Sequence, residues 1–424
     1  MSTAAPSWAS RFASKITSRI ETNLHRRLTR SDGSLIDFAS NDYLGLCHSP
    51  ITRVTKSRGS IGSTGSRLLS GNTDAHEELE ALFTETFGGG KGGKSALLFN
   101  SGYDANLSLL SSIPTAGDAI IADAECHNST FMGARMSRCG VFRTFRHNDA
   151  EDLERVIDEV EVGDGGGIIV PVEGYYSMSG TVSPLEDILE VVVEKGAERG
   201  CPIGVVLDEA HSSGVWGGGL GMVAELGLSE RQLSGILASV HTFGKAYGSH
   251  GAVVVDYAGL GEGGEGGEGG GPTAMIDYLI NYARPLIYST SLPPNHLMEL
   301  RRNIEFVYSE EGERRRRKLF ENVTHFKQCM KGAFGNGLVG GGVGGFGDEV
   351  STPGPIQSIL APDSKTCIEL ARRMREEGGF DVFAIRPPTV PEGEERIRVV
   401  MHYHNSFEEI EGLVEKARSY AEDL

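Results

Sequence analysis

The chain lacks the usual marks of a metal-bound, disulfide-stapled or membrane-spanning protein. Its six cysteines, Cys47, Cys126, Cys139, Cys201, Cys329 and Cys367, are scattered, and none forms a Cys-x-x-Cys pair. Neither a zinc site nor a disulfide framework is indicated, and the cysteines read as reduced thiols of an intracellular protein. No apolar run approaches the roughly 18–20 residues of a membrane span. Basic charge is in short supply: 40 Lys and Arg face 58 Asp and Glu, a formal −18. That balance argues against nucleic acid or an anionic membrane as main partner, while a local basic pocket could still take a small anion.

Acidic residues are scarce only near the start, where Glu21 is the one acid in residues 7–30. This composition suits a mitochondrial transit peptide. Trp8, Phe12, Ile16, Ile20 and Leu24 also recur every four residues, which draws one apolar stripe along a helix. The stripe favours a structural first helix in a cytoplasmic protein, with mitochondrial targeting left open.

Glycine, by contrast, is plentiful at 58 residues. Residues 259–271 are glycine and glutamate apart from Leu260. Such a segment has little apolar surface to bury and reads as a mobile surface loop, as does the milder segment 335–347. Elsewhere short apolar runs alternate with amphipathic stretches. Strands are expected at 95–99, 119–122, 167–172, 203–207, 235–240 and 252–255. Helices are expected at 74–87, 103–112, from 128, at 150–159 and at 184–199. That alternation implies an α/β fold with a mostly parallel central sheet. Helical patterns at 274–283 and 294–331, strands at 355–360 and 397–401, and helices at 365–377 and 406–423 suggest a smaller C-terminal α/β domain. The resulting division is an N-terminal helix and arm at 1–50, a large domain at 51–285 and a small domain at 286–424. The run from Arg314 to Lys318, preceded by Glu310, Glu311 and Glu313, reads as a solvated helix face.

Ligands of such sheets sit at the carboxyl ends of the strands, and the distinctive polar residues fall there. The run 203–207 ends in Asp208-Glu209-Ala210-His211, and the run 235–240 leads into His241-Thr242-Phe243-Gly244-Lys245. A lysine able to form a Schiff base, with an aspartate able to keep a pyridine nitrogen protonated, is what pyridoxal phosphate (PLP) chemistry needs. His211 is placed to reach the phenolate oxygen of that cofactor. Ser101, Gly102 and Tyr103, at a strand-to-helix turn, offer amides for its phosphate, and Thr242 adds a hydroxyl. His127, after another strand, could stack on the ring. A substrate carboxylate calls for an arginine fork, and Arg386, held before Pro387 and Pro388, is the expected one. No metal is expected: Cys126 beside His127 has no second ligand pair, and His402 and His404 read as structural.

These residues, with the motifs Asn41-Asp42-Tyr43-Leu44-Gly45-Leu46, Gly62-Ser63-Thr64-Gly65-Ser66-Arg67, Glu173-Gly174-Tyr175-Tyr176-Ser177-Met178 and Tyr288-Ser289-Thr290-Ser291-Leu292-Pro293-Pro294, resemble the α-oxoamine synthases. These are fold-type I PLP enzymes that condense an amino acid with an acyl thioester and release carbon dioxide. The resemblance implies that Lys245, Asp208 and His127 are the lysine, aspartate and stacking histidine. It assigns Ser177 and His211 to the phenolate, Arg386 to the substrate carboxylate and Asn41 to the active site. It implies a homodimer with shared sites, Thr290 and Ser291 reaching the phosphate of the partner's cofactor. Within the family, the loop 384–391 points to joining L-alanine to a pimeloyl thioester, carried by coenzyme A or a carrier protein. Other members use glycine or serine with other acyl groups, and a fold-type I aminotransferase would share the lysine and aspartate but not the signature at 288–294. A cation for the far pimeloyl carboxylate has no clear match among Arg19, Arg26 and Arg27.

Overall fold

The computed structural model describes residues 16–22, 34–47, 61–88, 96–257, 273–334, 347–348, 352–387 and 389–424. Trp8, Phe12, Leu24, Arg26, Arg27, the Gly/Glu segment 259–271 and nearly all of 335–347 lie outside these residues. Residues up to Ile36 form one compact unit and Asp37–Leu424 another. In the first, Ile16 and Ile20 lie on a helical turn and are exposed.

The second unit is built around a seven-stranded sheet. Its strands are β1 (Ala96–Phe99), β2 (Ala119–Asp123), β3 (Val141–Phe145), β4 (Ile168–Glu173), β5 (Ile203–Asp208), β6 (Ile236–Thr242) and β7 (Ala252–Asp256), in the order β1-β7-β6-β5-β4-β2-β3. The pairs from β6 through to β3 are parallel, and β7 runs antiparallel to both β6 and β1. Strands β1, β2, β4 and β7 are buried throughout, as apolar runs without alternation require when helices cover both faces. Helices α1 (Asp74–Gly88), α2 (Gly102–Ser112), α3 (Asn128–Met136), α4 (Ala150–Glu159) and α5 (Leu185–Arg199) form the crossovers and their neighbours. Part of the core joins Leu109 and Leu110 of α2 to Val240, Val254 and Ile120 of the sheet.

Strand β3 escapes the sequence pattern for a physical reason. It is an edge strand whose middle, Phe142 to Thr144, faces solvent, so it carries no apolar run to reveal it.

The C-terminal part carries a four-stranded antiparallel sheet, β10-β11-β9-β8, from β8 (Gly347–Asp348), β9 (Ile356–Leu360), β10 (Phe383–Ile385) and β11 (Arg396–Val400). Helices α6 (Ala274–Tyr282) and α7 (Arg284–Tyr288) pack on α2 in the core of the large sheet and α8 (Pro294–Val307) packs on α1, while α9 (Glu310–Phe334), α10 (Ser364–Glu376) and α11 (Phe407–Glu422) complete the C-terminal part. The expected single helical stretch 294–331 is two helices. Gly312 comes so close to the preceding helix end that a Cβ there would stand 2.3 Å from the Val307 carbonyl oxygen. The new helix starts with Glu310, Glu311 and Glu313, where the dipole favours acids. The basic run is a solvated face only in part. Arg315 and Arg316 are buried, donating to the carbonyls of Leu44 (2.7 Å) and Val307 (2.6 Å) and pairing with Glu311 and Glu313.

Candidate active site

The carboxyl ends of β4, β5 and β6 bring three ionisable groups together. Glu173 and Asp208 end adjacent strands in register, and Lys245 follows β6 in a turn closed by the Gly248 amide donating to the Lys245 carbonyl at 2.8 Å. Gly248 sits at φ +55°, a left-handed conformation suited to glycine. Burial lowers the Lys245 amine to about 8, helped by the Arg398 cation and opposed by Asp208 and Glu173. Burial, then the neighbouring Asp208, pushes Glu173 well up, while Lys245 and two backbone amides pull it back. One of those amides is that of His127, 2.6 Å from Glu173 Oε1.

His127 caps α3. Its Nδ1 lies 2.8 Å from Ser129 Oγ, and its ring stands edge-on to Tyr103, centroids 6.3 Å apart. Burial chiefly, and the Lys245 charge, hold its pKa below the ordinary value, so the imidazole is neutral. Asp208 is fixed from two sides: the Ala210 amide donates to Oδ1 at 2.8 Å and Asn106 Nδ2 to Oδ2 at 2.6 Å. The same Asn106 amide reaches Ser129 Oγ at 3.1 Å. One hydrogen-bonded chain therefore runs Asp208–Asn106–Ser129–His127. Asn106 is missing from the sequence reading because it sits inside an amphipathic helix and carries no motif of its own.

At the start of α2, Ser101 Oγ accepts from the Asp104 amide at 3.1 Å. A Cβ on Gly102 would stand 3.3 Å from both Thr242 Cβ and Thr242 Oγ1. The Thr242 hydroxyl thus lies against the helix N-terminus, the arrangement expected of a phosphate cradle. The residues present fit PLP: an amine of lowered pKa after β6, a fixed carboxylate at the end of β5, a neutral imidazole capping α3 and a cradle at the start of α2.

His211 bonds through Nδ1 to the Tyr43 hydroxyl at 2.7 Å, and burial drives its pKa well down, with the charges of Lys245 and Arg398 acting in the same direction. Tyr43 also donates to Asn41 Oδ1 at 3.3 Å. The guanidinium hydrogen-bonded to Asn41 belongs to Arg398, not to Arg386. Arg398 Nη2 donates to Asn41 Oδ1 at 3.0 Å and Nε to the Ser177 carbonyl at 3.0 Å. Arg386 stands half-buried just past β10, where its charge is felt by the Cys367 thiol. The chain turns back there, so Arg398 on β11 pairs opposite Phe383 on β10. The signal for Arg398 was a charged residue between apolar Ile397 and Val399 in a strand.

Thr290 is exposed, and its carbonyl accepts from Asn100 at 2.9 Å. Ser291 differs from expectation. Its hydroxyl is buried and donates within its own chain to the Gly71 carbonyl at 2.7 Å, so it pins the glycine-rich loop. His402 Nε2 lies 3.0 Å from the Ser40 carbonyl oxygen and its Nδ1 3.3 Å from Asn405 Oδ1, with Asp37 and His404 close by.

Residues 34–416 match the family model described as aminotransferase class I and II. The chain is 36% identical over 417 residues to the 8-amino-7-oxononanoate synthase of Emericella nidulans, covering 94% of this chain and 92% of the relative. An 8-amino-7-oxononanoate synthase structure from Francisella tularensis matches with TM-score 0.67 and 25% identity, over 92% of this chain and 98% of the other. A serine palmitoyltransferase from S. paucimobilis, solved with bound PLP, shares the fold at TM-score 0.78 and 22% identity, over 98% of each chain. The chain is therefore a PLP-dependent enzyme of the aminotransferase class I and II family, a member of its α-oxoamine synthase branch alongside the 8-amino-7-oxononanoate synthases.

Proposed function

We propose that this enzyme condenses L-alanine with a pimeloyl thioester, releasing carbon dioxide and the free thiol and giving 8-amino-7-oxononanoate. The observation that carries the reading is the joint presence of the Arg398–Asn41 clamp and the Lys245–Asp208 pair, in a chain similar over its length to synthases of that name. PLP, when bound, supplies an electron sink for the amino acid α-carbon.

Arg398 and Asn41 hold the substrate carboxylate. A guanidinium presents two donors in a plane and so fixes orientation as well as charge. Lys245 Nζ, its pKa about 8, takes the α-proton and returns it after decarboxylation; an amine near the working pH suits both directions. Asp208 holds the pyridine nitrogen in its protonated form, and Asn106 and the Ala210 amide keep that carboxylate in place. Neutral His127 would help hold the cofactor ring without adding charge. His211 and Ser177 serve the phenolate side, with Tyr43 orienting His211. Ser101, Gly102, Tyr103 and Thr242 hold the phosphate.

The protein acts as a homodimer, with exposed Thr290 reaching the partner's cofactor phosphate and Ser291 supporting that segment. The division at residues 50 and 285 and a cytoplasmic location belong to the same reading. Among the described residues no helix is long and apolar enough to cross a membrane. The test is thiol release from crossed pairs of alanine, glycine and serine with pimeloyl, acetyl, succinyl and palmitoyl thioesters. Alanine with pimeloyl should turn over best. Best turnover with glycine and a short acyl group would reject the substrate pair and keep the family. Amino transfer to a keto acid without any thioester would favour an aminotransferase.

A further inference from the structure

Helices α9 and α11 pack against each other and bring three donor atoms to one point outside the PLP cleft. His325 and Cys329 are four residues apart on α9 and so share a face. His325 Nε2 lies 3.6 Å from Cys329 Sγ and 2.9 Å from Glu411 Oε1 on α11. All three donors lie within 4.8 Å of one another.

Two ligands on a tetrahedral zinc ion, at about 2.0 Å for nitrogen and about 2.3 Å for sulfur, stand about 3.5 Å apart; nitrogen and carboxylate oxygen stand about 3.3 Å apart. The His325–Cys329 and His325–Glu411 separations lie within about half an ångström of these values, and the Cys329–Glu411 pair lies within 4.8 Å. The imidazole is already oriented, stacked on Phe407 of α11 with ring centroids 4.1 Å apart and planes 27° from parallel. His325 also borders an open depression of about 760 Å³ shared with Phe407, Phe320 and Thr324, which leaves room for water as a fourth ligand. An exposed His–Glu pair alone contributes little to stability, whereas a metal ion would use the Cys329 thiol, already beside the imidazole, as a third donor.

We propose that His325, Cys329 and Glu411 form a binding site for a divalent cation of borderline softness, with Zn²⁺ the best fit, that ties α9 to α11. The donor set of one nitrogen, one sulfur and one carboxylate oxygen favours zinc over magnesium or calcium, which take oxygen ligands. Binding displaces the Cys329 proton, so affinity rises with pH. Burial and the nearby Glu411 hold that thiol above its ordinary value, which moves this dependence to higher pH.

The test uses the reduced holoenzyme and Co²⁺ as a probe, followed by Zn²⁺ competition. One equivalent of Co²⁺ should give intense visible bands of a tetrahedral thiolate site, to the red of cofactor absorption, and Zn²⁺ should abolish them. Glu411→Gln, Cys329→Ser and His325→Ala should each weaken binding by at least roughly 10- to 100-fold, the loss caused even by removing an outer-shell partner. Glu411 is exposed, so Glu411→Gln disturbs no packing and remains informative if another variant folds poorly. The bound ion should also raise the melting temperature of the wild-type protein and not that of Glu411→Gln. Absence of tetrahedral bands at micromolar Co²⁺ would overturn the proposal. So would undiminished bands in His325→Ala/Cys329→Ser, which would place the ion on another thiol such as exposed Cys47.

Discussion

Replacing Arg398 separates the two tasks that its position implies. Its fork donates to Asn41 and Ser177, and its positive charge helps lower the Lys245 amine. Hydrogen bonds to a charged partner contribute about 1.5–3 kcal/mol, so loss of the clamp in Arg398→Ala should raise KM for alanine roughly 10- to 150-fold. Arg398→Lys keeps the charge but loses the planar pair of donors, so KM should rise in it as well. The two variants should part on the second readout. The rate at which cofactor-free protein captures PLP follows the neutral fraction of Lys245 and should rise through about pH 8 in the wild type. It should need a higher pH in Arg398→Ala and stay near the wild-type value in Arg398→Lys. The assays are alanine-dependent thiol release at saturating thioester and stopped-flow capture of PLP across pH. If Arg386→Ala raises KM for alanine while Arg398→Ala leaves it unchanged, the clamp has been assigned to the wrong strand.

Four other outcomes follow from the geometry. Borohydride reduction should fix the chromophore to Lys245, and peptide mapping that found another labelled lysine would reject the site. In the cofactor-free protein the folded amine titrates near 8 and the unfolded one near 10.5, so the unfolded state binds more protons between these values. The Lys245 penalty is therefore full below about pH 8 and relieved above it. Wild type should gain stability relative to Lys245→Met as pH rises through that window, measured by urea denaturation; a flat difference would refute the lowered pKa. Asn106→Leu strands the Asp208 carboxylate and should weaken PLP binding roughly tenfold or more, from about 1.5–3 kcal/mol per charge-assisted bond, with an altered absorbance–pH profile of the bound cofactor; unchanged affinity and profile would leave Asn106 a packing residue. Mixing Lys245→Ala with a phosphate-defective Thr290 variant should restore part of the activity if sites are shared across a dimer, and no recovery in a demonstrated heterodimer would remove Thr290 from the partner's site.

The sequence disclosed what depends on local order. Lys245, Asp208, His127 and His211 each follow a buried apolar run, and a polar residue in such a place has few roles other than binding. The parallel sheet was legible for the same reason, since strands β2, β4 and β5 are apolar on both faces. What stayed hidden depends on contacts between distant residues. Arg398 reaches Asn41 across 357 positions of chain, and Tyr43 reaches His211 across 168. Neither spacing leaves a periodic trace. The inward turn of Ser291 was not legible, because a serine after a threonine in a signature says nothing about which hydroxyl turns inward, and here the Gly71 carbonyl accepts from it. Arg315 and Arg316 looked solvated because their neighbours are acidic, yet both are buried and donate to backbone carbonyls of Leu44 and Val307.

The proposed clamp draws on two separate sheets. Arg398 comes from the middle of the small antiparallel sheet, while Ser177 follows a strand of the large one. An amino acid held by Arg398 and joined to the lysine side of the cleft is therefore a tether between the two layers. Binding must tighten the seam by as much as the seam favours binding, because the coupling is reciprocal. Saturating alanine should slow amide exchange along 396–400 and around Ser177 together, and any substitution that loosens the seam far from the cleft should be felt first as weaker hold on the amino acid.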